Sequence, residues 1–206
     1  MANRKYGIIL SYMNIFFNTL INFMYVPLLI YYIGKNEYGL YQLIGSFIAY
    51  FSIMDFGLTA AVVRFYTKYK VLKDKIGMEN VLAISARCYI VITLILFIIG
   101  YICYLFIDDI FYNSMTISEI SSAKDIFSLL LLNIIVTIST MIFRAIINAY
   151  EKFLFLKGME TIQLILQPIL VVVILQEYPY AFSVALVQTI LNIFLNIVRG
   201  FYCFKY

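Results

Sequence analysis

Six long apolar runs follow one another along the chain, separated by short polar interruptions. They cover about residues 8–33, 38–66, 81–107, 126–150, 159–175 and 180–204. Roughly 20 apolar residues cross the ~30 Å hydrocarbon core of a bilayer as a helix. A helix satisfies its own backbone hydrogen bonds where there is no water. The pattern therefore predicts an all-α integral membrane protein, with six transmembrane helices forming one unit over residues 1–206. The run Ile8 to Ile33 is too long for a signal-peptide core and lacks a small-residue cleavage site, so it reads as a retained signal anchor. Gly34-Lys35-Asn36-Glu37 makes the first turn. A basic loop carries Lys68, Lys70, Lys73 and Lys75. The stretch 108–125 is acidic and rich in Ser and Asn. A link over 151–158 carries Lys152 and Lys157, and Gln176 to Pro179 is tight.

Polar residues recur inside the runs at helical spacing. Span one has Asn14, Asn18 and Asn22. Span two has Gln42 and Ser46 before Asp55 and Thr59. Span four has Asn133, Thr137, Thr140, Arg144 and Asn148. Span five has Glu160, Gln163 and Gln167, then Pro168, which frees a carbonyl and predicts a kink. Span six has Gln188, Asn192, Asn196 and Arg199. Span three has only Thr93 after Arg87 and reads as lipid-facing. One such stripe is ordinary helix-to-helix hydrogen bonding, at about 0.6–2 kcal/mol per contact. Five stripes suggest a bundle around a hydrophilic lumen. Asp55 reads in two ways: as an intramembrane carboxylate kept for function, or as the cap of a helix broken near Gly57.

Composition agrees with the pattern. The chain is 64% hydrophobic and 13% charged, against about 25% charged in soluble domains. It has no His, which excludes His catalysis and His metal ligation. Cys88, Cys103 and Cys203 lie in apolar runs without metal-ligand spacing and read as small buried hydrophobes. No cofactor is expected, and no nucleic-acid partner. Of 15 Lys and Arg, only Lys35 and Lys124 fall on the side holding the 34–37, 108–125 and 176–179 links, leaving 15 − 2 = 13 on the other. The positive-inside rule puts both termini in the cytoplasm. Arg64, Arg87, Arg144 and Arg199 all lie in the cytoplasmic parts of their spans. Arg144 is about six residues inside its span and on the polar stripe, so it is the best cavity cation; Arg64 and Arg199 lie closer to the ends, as snorkelling anchors do. Guanidinium groups suit phosphate oxygens. Asp55 and Arg64 fall on opposite faces of an unbroken helix and pair only if it breaks at Gly57.

The first seventy residues carry a further signal. The turn Gly34 to Tyr41 reads G-x-x-x-Y-G-x-Y, and Asp55-Phe56-Gly57-Leu58 follows near the end of the second span. In this order and spacing they resemble the N-terminal part of polysaccharide-biosynthesis flippases, the O-antigen and capsule repeat-unit translocases. That superfamily includes the multidrug and toxic compound extrusion transporters. The resemblance implies one six-helix lobe of a two-lobed fold around a central cavity. It implies flipping of a polyprenyl-diphosphate-linked oligosaccharide across the bacterial cytoplasmic membrane by alternating access, with no enzymatic step. Arg144, with Arg64 and Arg199, would meet the diphosphate. Asn14, Asn18, Asn22, Asn192 and Asn196 would meet sugar hydroxyls, and Asn133, Gln163, Gln167 and Asp55 complete the candidate cavity residues. Only one lobe is present, so the expected partners are the lipid-linked oligosaccharide, membrane lipids and a second six-helix lobe. The alternatives are a cation-coupled drug extruder using Asp55 as its coupling carboxylate, a membrane scaffold, or an inactive truncated fragment.

Overall fold

A computed structural model describes the backbone of residues 2–203 and the side chains of residues 12–203. The side chains of residues 1–11, with Arg4 and Lys5 before the first apolar run, and residues 204–206 lie outside the described ones. Among the described residues every regular element is a helix: α1 Ala2–Phe51, a 3-10 turn Ser52–Asp55, α2 Leu58–Val71, α3 Lys75–Phe111, α4 Ile117–Ser139, α5 Met141–Ala149, α6 Phe153–Leu175 and α7 Ala181–Cys203. Five helical stretches are long and apolar enough to cross a membrane. Over the described residues the chain is all-helical, with several helices long and apolar enough to span a membrane, as a multi-pass membrane protein has.

The first of the five, Tyr12–Val71, is 60 residues long. As a straight helix it would measure about 90 Å at 1.5 Å per residue, three times the hydrocarbon thickness. Two breaks shorten it. At Gly34 the backbone takes φ 79°, ψ 167° inside α1, a region essentially confined to glycine. Contacts on either side give the consequence. Asn14 donates to the Lys157 carbonyl near the start of α6, at 3.3 Å. Past the break, Glu37 accepts from the Ala181 backbone N–H at the start of α7, at 3.0 Å, and Tyr41 donates to Gln188 at 2.6 Å. Stacking of Phe155 on Tyr202 at 3.7 Å brings the start of α6 to the end of α7, so those helices are antiparallel. The first arm of α1 follows α6 and the second follows α7. The chain reverses at Gly34.

The second break is at Phe56 and Gly57, both left-handed (φ 46° and 75°). Asp55 accepts from the Thr59 backbone N–H at 3.4 Å and from its hydroxyl at 3.0 Å, satisfying a free donor in the first turn of α2. α6, by contrast, runs helically through Pro168. Proline there leaves the Leu164 carbonyl without its helical donor, but the helix is not interrupted.

α7 is the central helix and the most buried of the membrane-length stretches; it packs on α1, α4, α5 and α6. α3 packs chiefly on α2, α4 and α5 and exposes Ile90, Leu94, Phe97, Ile98, Tyr101 and Leu105, as its bare apolar pattern predicts. Gly100 lets α4 approach: a Cβ there would lie 2.4 Å from Leu131 Cδ1.

Charges sort into two belts. The uncharged stretches run over 38–54, 88–107, 126–143, 161–176 and 178–198. At 1.5 Å per residue these measure about 24–32 Å, close to one hydrocarbon thickness. One belt holds Glu37, Asp108, Asp125 and Glu177; the other holds Asp55, Arg87, Arg144, Glu160 and Arg199. Contacts within the second belt agree, because Arg144 pairs with Glu160 at 2.6 Å and Tyr89 reaches Asp55 at 3.4 Å. The second belt faces the basic end of the molecule. Of the two readings of Asp55, its contacts with Thr59 at the start of α2 fit the cap, and the uncharged stretch 38–54 ends just before it.

Candidate functional site

The polar stripes of the first arm of α1 and of α6 meet. Between them lies a groove of about 610 Å³, lined by Asn14, Asn18, Asn22, Gln163, Gln167 and Tyr25 among others. The helix period explains the convergence. Residues at i, i+4 and i+8 keep one face of α1 polar, and 160, 163 and 167 do the same on α6. The arms are fastened at the basic end, where Asn14 Oδ1 accepts from the Thr161 hydroxyl at 2.6 Å. Asn22 donates to Asn18 within the first arm, and both are exposed. The Tyr25 hydroxyl, also on the groove, is buried and has no hydrogen-bond partner. Five amide side chains in an otherwise apolar slab make a surface suited to a polyhydroxylated ligand, since each amide both donates and accepts.

At its basic end the groove reaches Lys157 and Glu160. Glu160 is shared: Arg144 holds one oxygen at 2.6 Å and Lys157 the other at 2.7 Å. Arg199 lies behind, within electrostatic reach of both Arg144 and Glu160. It is buried, donates to Asn196 Oδ1 at 3.0 Å, and leaves Nε unpartnered. Two cations thus hold one carboxylate; of the charged groups only Lys157 and Glu160 line the groove itself, while Arg144 reaches it through Glu160 and Arg199 stands behind. Arg144 and Glu160 remain partly exposed, so an incoming anion can compete for the guanidinium. Lys157 was missed as a site residue because the link was read through residue 158. The helix in fact starts at Phe153, and the i, i+3 spacing to Glu160 was the available signal.

The remaining amides do not line this groove. Asn192 donates to Asn133 Oδ1 at 3.0 Å and to the Thr137 hydroxyl at 2.7 Å, and accepts from Asn196 at 3.1 Å. Asn192 and Asn196 are buried between α7 and its neighbours. The expected single lumen therefore divides: the stripes of α1 and α6 form a groove, while those of α4 and α7 bond to each other. Asn133, Asn192 and Asn196 join helices here and are corrected as groove-lining candidates. Their chain ends on Arg199 and holds that guanidinium in place.

Asp55 and Arg64 lie elsewhere. Asp55 borders a second groove, of about 530 Å³, with Arg87. Arg64 is exposed on α2 and lines neither groove. The helix breaks at Gly57, yet among the described residues Asp55 and Arg64 form no ion pair; Thr59 and Tyr89 hold Asp55 instead. Comparison with protein-family models, curated proteins and solved structures finds no match to this chain.

Proposed function

We propose that this chain forms one lobe of a flippase that carries a polyprenyl-diphosphate-linked oligosaccharide across the bacterial cytoplasmic membrane for surface polysaccharide synthesis. The observation that carries this reading is the groove between the first arm of α1 and α6, amide-lined along the apolar slab and ending at Lys157 and Glu160, with Arg144 paired to that carboxylate. Sugar hydroxyls match the amides. A diphosphate matches Arg144, Lys157 and Arg199, whose planar or point charges outnumber their single carboxylate. In this reading the diphosphate displaces Glu160 from Arg144 and Lys157, and the released carboxylate favours the next conformational step. With the reversal at Gly34 counted, the helices make six crossings, with the basic end cytoplasmic. The groove is open on one side, so a second six-helix lobe closes the cavity and alternating access moves the load.

A cation-coupled drug extruder is the other reading. It needs Asp55 on the transport path, and Asp55 borders the other groove. Flipping of a short-chain polyprenyl-diphosphate glycan, measured in proteoliposomes containing the paired transporter, tests the proposal. Arg144→Ala is expected to slow it about tenfold or more, the scale of one lost charge-assisted contact. Dye efflux without glycan flipping would instead favour the extruder, and flipping indifferent to Arg144→Ala would sink the assigned diphosphate role.

A further inference from the structure

The second groove has no part in that reading. It opens between α2 and α3, where the Phe56-Gly57 break interrupts the helix wall. Its sides are Leu58, Ala61, Val91 and Ile92, and its polar groups are Asp55 and Arg87. The two charges share the groove, yet no ion pair joins them among the described residues. Thr59 and Tyr89 approach Asp55 through Oδ1 alone. Among the described residues the second carboxylate oxygen accepts from no donor, which leaves it for another. Arg87 is exposed. Arg87 borders the uncharged window of α3, which begins at Cys88, and Asp55 closes the uncharged stretch 38–54 and meets Tyr89 in α3; windows of about one hydrocarbon thickness put both charges at headgroup depth. The apolar walls continue from there along α3 into the slab.

We propose that this groove binds one phospholipid with a primary-ammonium headgroup, of the phosphatidylethanolamine class. Its ammonium donates to Asp55 and its phosphate accepts from Arg87, while an acyl chain lies along Ala61, Val91 and Ile92. A carboxylate and a guanidinium side by side suit a zwitterion. A purely anionic headgroup would meet Asp55 as a like charge, and a trimethylated one offers it no N–H donor. The inference stands on the groove and on the depth of its charges, and is independent of what the amide-lined groove carries.

The test is lipid retention. The purified chain is placed in phosphatidylcholine nanodiscs doped with phosphatidylethanolamine or phosphatidylglycerol, and bound lipid is read by native mass spectrometry. One phosphatidylethanolamine per chain is expected to survive release. Asp55→Asn and Arg87→Gln should each lower its occupancy about tenfold, as for a lost charge-assisted hydrogen bond. Ala61→Phe, which fills the groove without touching either charge, should abolish it. Lys68→Gln, outside the groove, should not change it. Monodisperse elution of each variant controls for folding, and Arg87→Gln and Ala61→Phe suffice if Asp55→Asn does not fold. Equal retention of phosphatidylglycerol, retention unchanged by all three groove variants, or no retained lipid would each overturn the proposal.

Discussion

Asparagine has two different duties in this chain, and accessibility separates them. Asn192 sits in a buried chain from Asn133 through Asn196 to Arg199. Asn18 sits exposed on the groove, bonded only to the next turn of its own helix. Replacing Asn192 by Ala takes one hydrogen-bond partner each from Asn196, Asn133 and Thr137 in a buried setting, so a stability loss of about 1–2 kcal/mol is expected. Asn18→Ala strands no buried group and should stay within about 0.5 kcal/mol, while slowing glycan flipping. Thermal unfolding in detergent, paired with the flipping assay, checks both. The opposite ranking in stability would mean that the amides of α4 and α7 do not join their helices. Spacing alone made these stripes look equivalent, because i, i+4 periodicity reports which residues share a face and not what that face meets.

Glycines mark where the first long helix is divided. Gly34 holds φ 79° with open space around its missing Cβ, whereas Gly39, also in α1 and also with open space, has no positive φ. Gly34→Ala is expected to cost about 1–3 kcal/mol in backbone strain. Gly39→Ala should be neutral or stabilising by up to about 1 kcal/mol, since alanine favours the helix. The unfolding midpoints of the two variants decide it. A Gly34→Ala protein as stable as Gly39→Ala would show that the reversal does not depend on that conformation. The turn at 34–37 and the break near Gly57 were both legible from Gly and its neighbours. Pro168 predicted a kink that α6 does not show as an interruption; losing one hydrogen bond is tolerated where packing holds the helix.

Across the whole molecule the charges define a slab. Its acidic edge holds Glu37, Asp108 and Glu177; its basic edge holds Arg87, Arg144 and Arg199, with the 68–75 lysines beyond. Orientation then follows from the lysines, which favour the cytoplasmic side. In a cysteine-free background, Lys124→Cys should react with a membrane-impermeant maleimide in intact cells. Lys73→Cys should react only after the membrane is opened. Reaction of both from outside would contradict the slab, and the reverse pattern would invert the orientation. In the same slab Asp55 follows the uncharged stretch 38–54, where it accepts from Thr59 at the start of α2 and borders the groove shared with Arg87.

The linear pattern alone determined that the chain is helical and membrane-spanning, where it turns, which end is basic, and that α3 lies at the periphery. Those properties depend on hydropathy, charge and local backbone preference, all of which are carried by neighbouring residues. Tertiary structure alone decided that Asn14, Asn18 and Asn22 meet Gln163 and Gln167, and that Asn192 and Asn196 turn inward to Asn133 and Arg199. It also gave Arg144 and Lys157 one shared partner in Glu160. The contact that fastens the α1–α6 groove, Thr161 to Asn14, joins residues 147 positions apart, and helical periodicity fixes a face without fixing which neighbour that face will pack against.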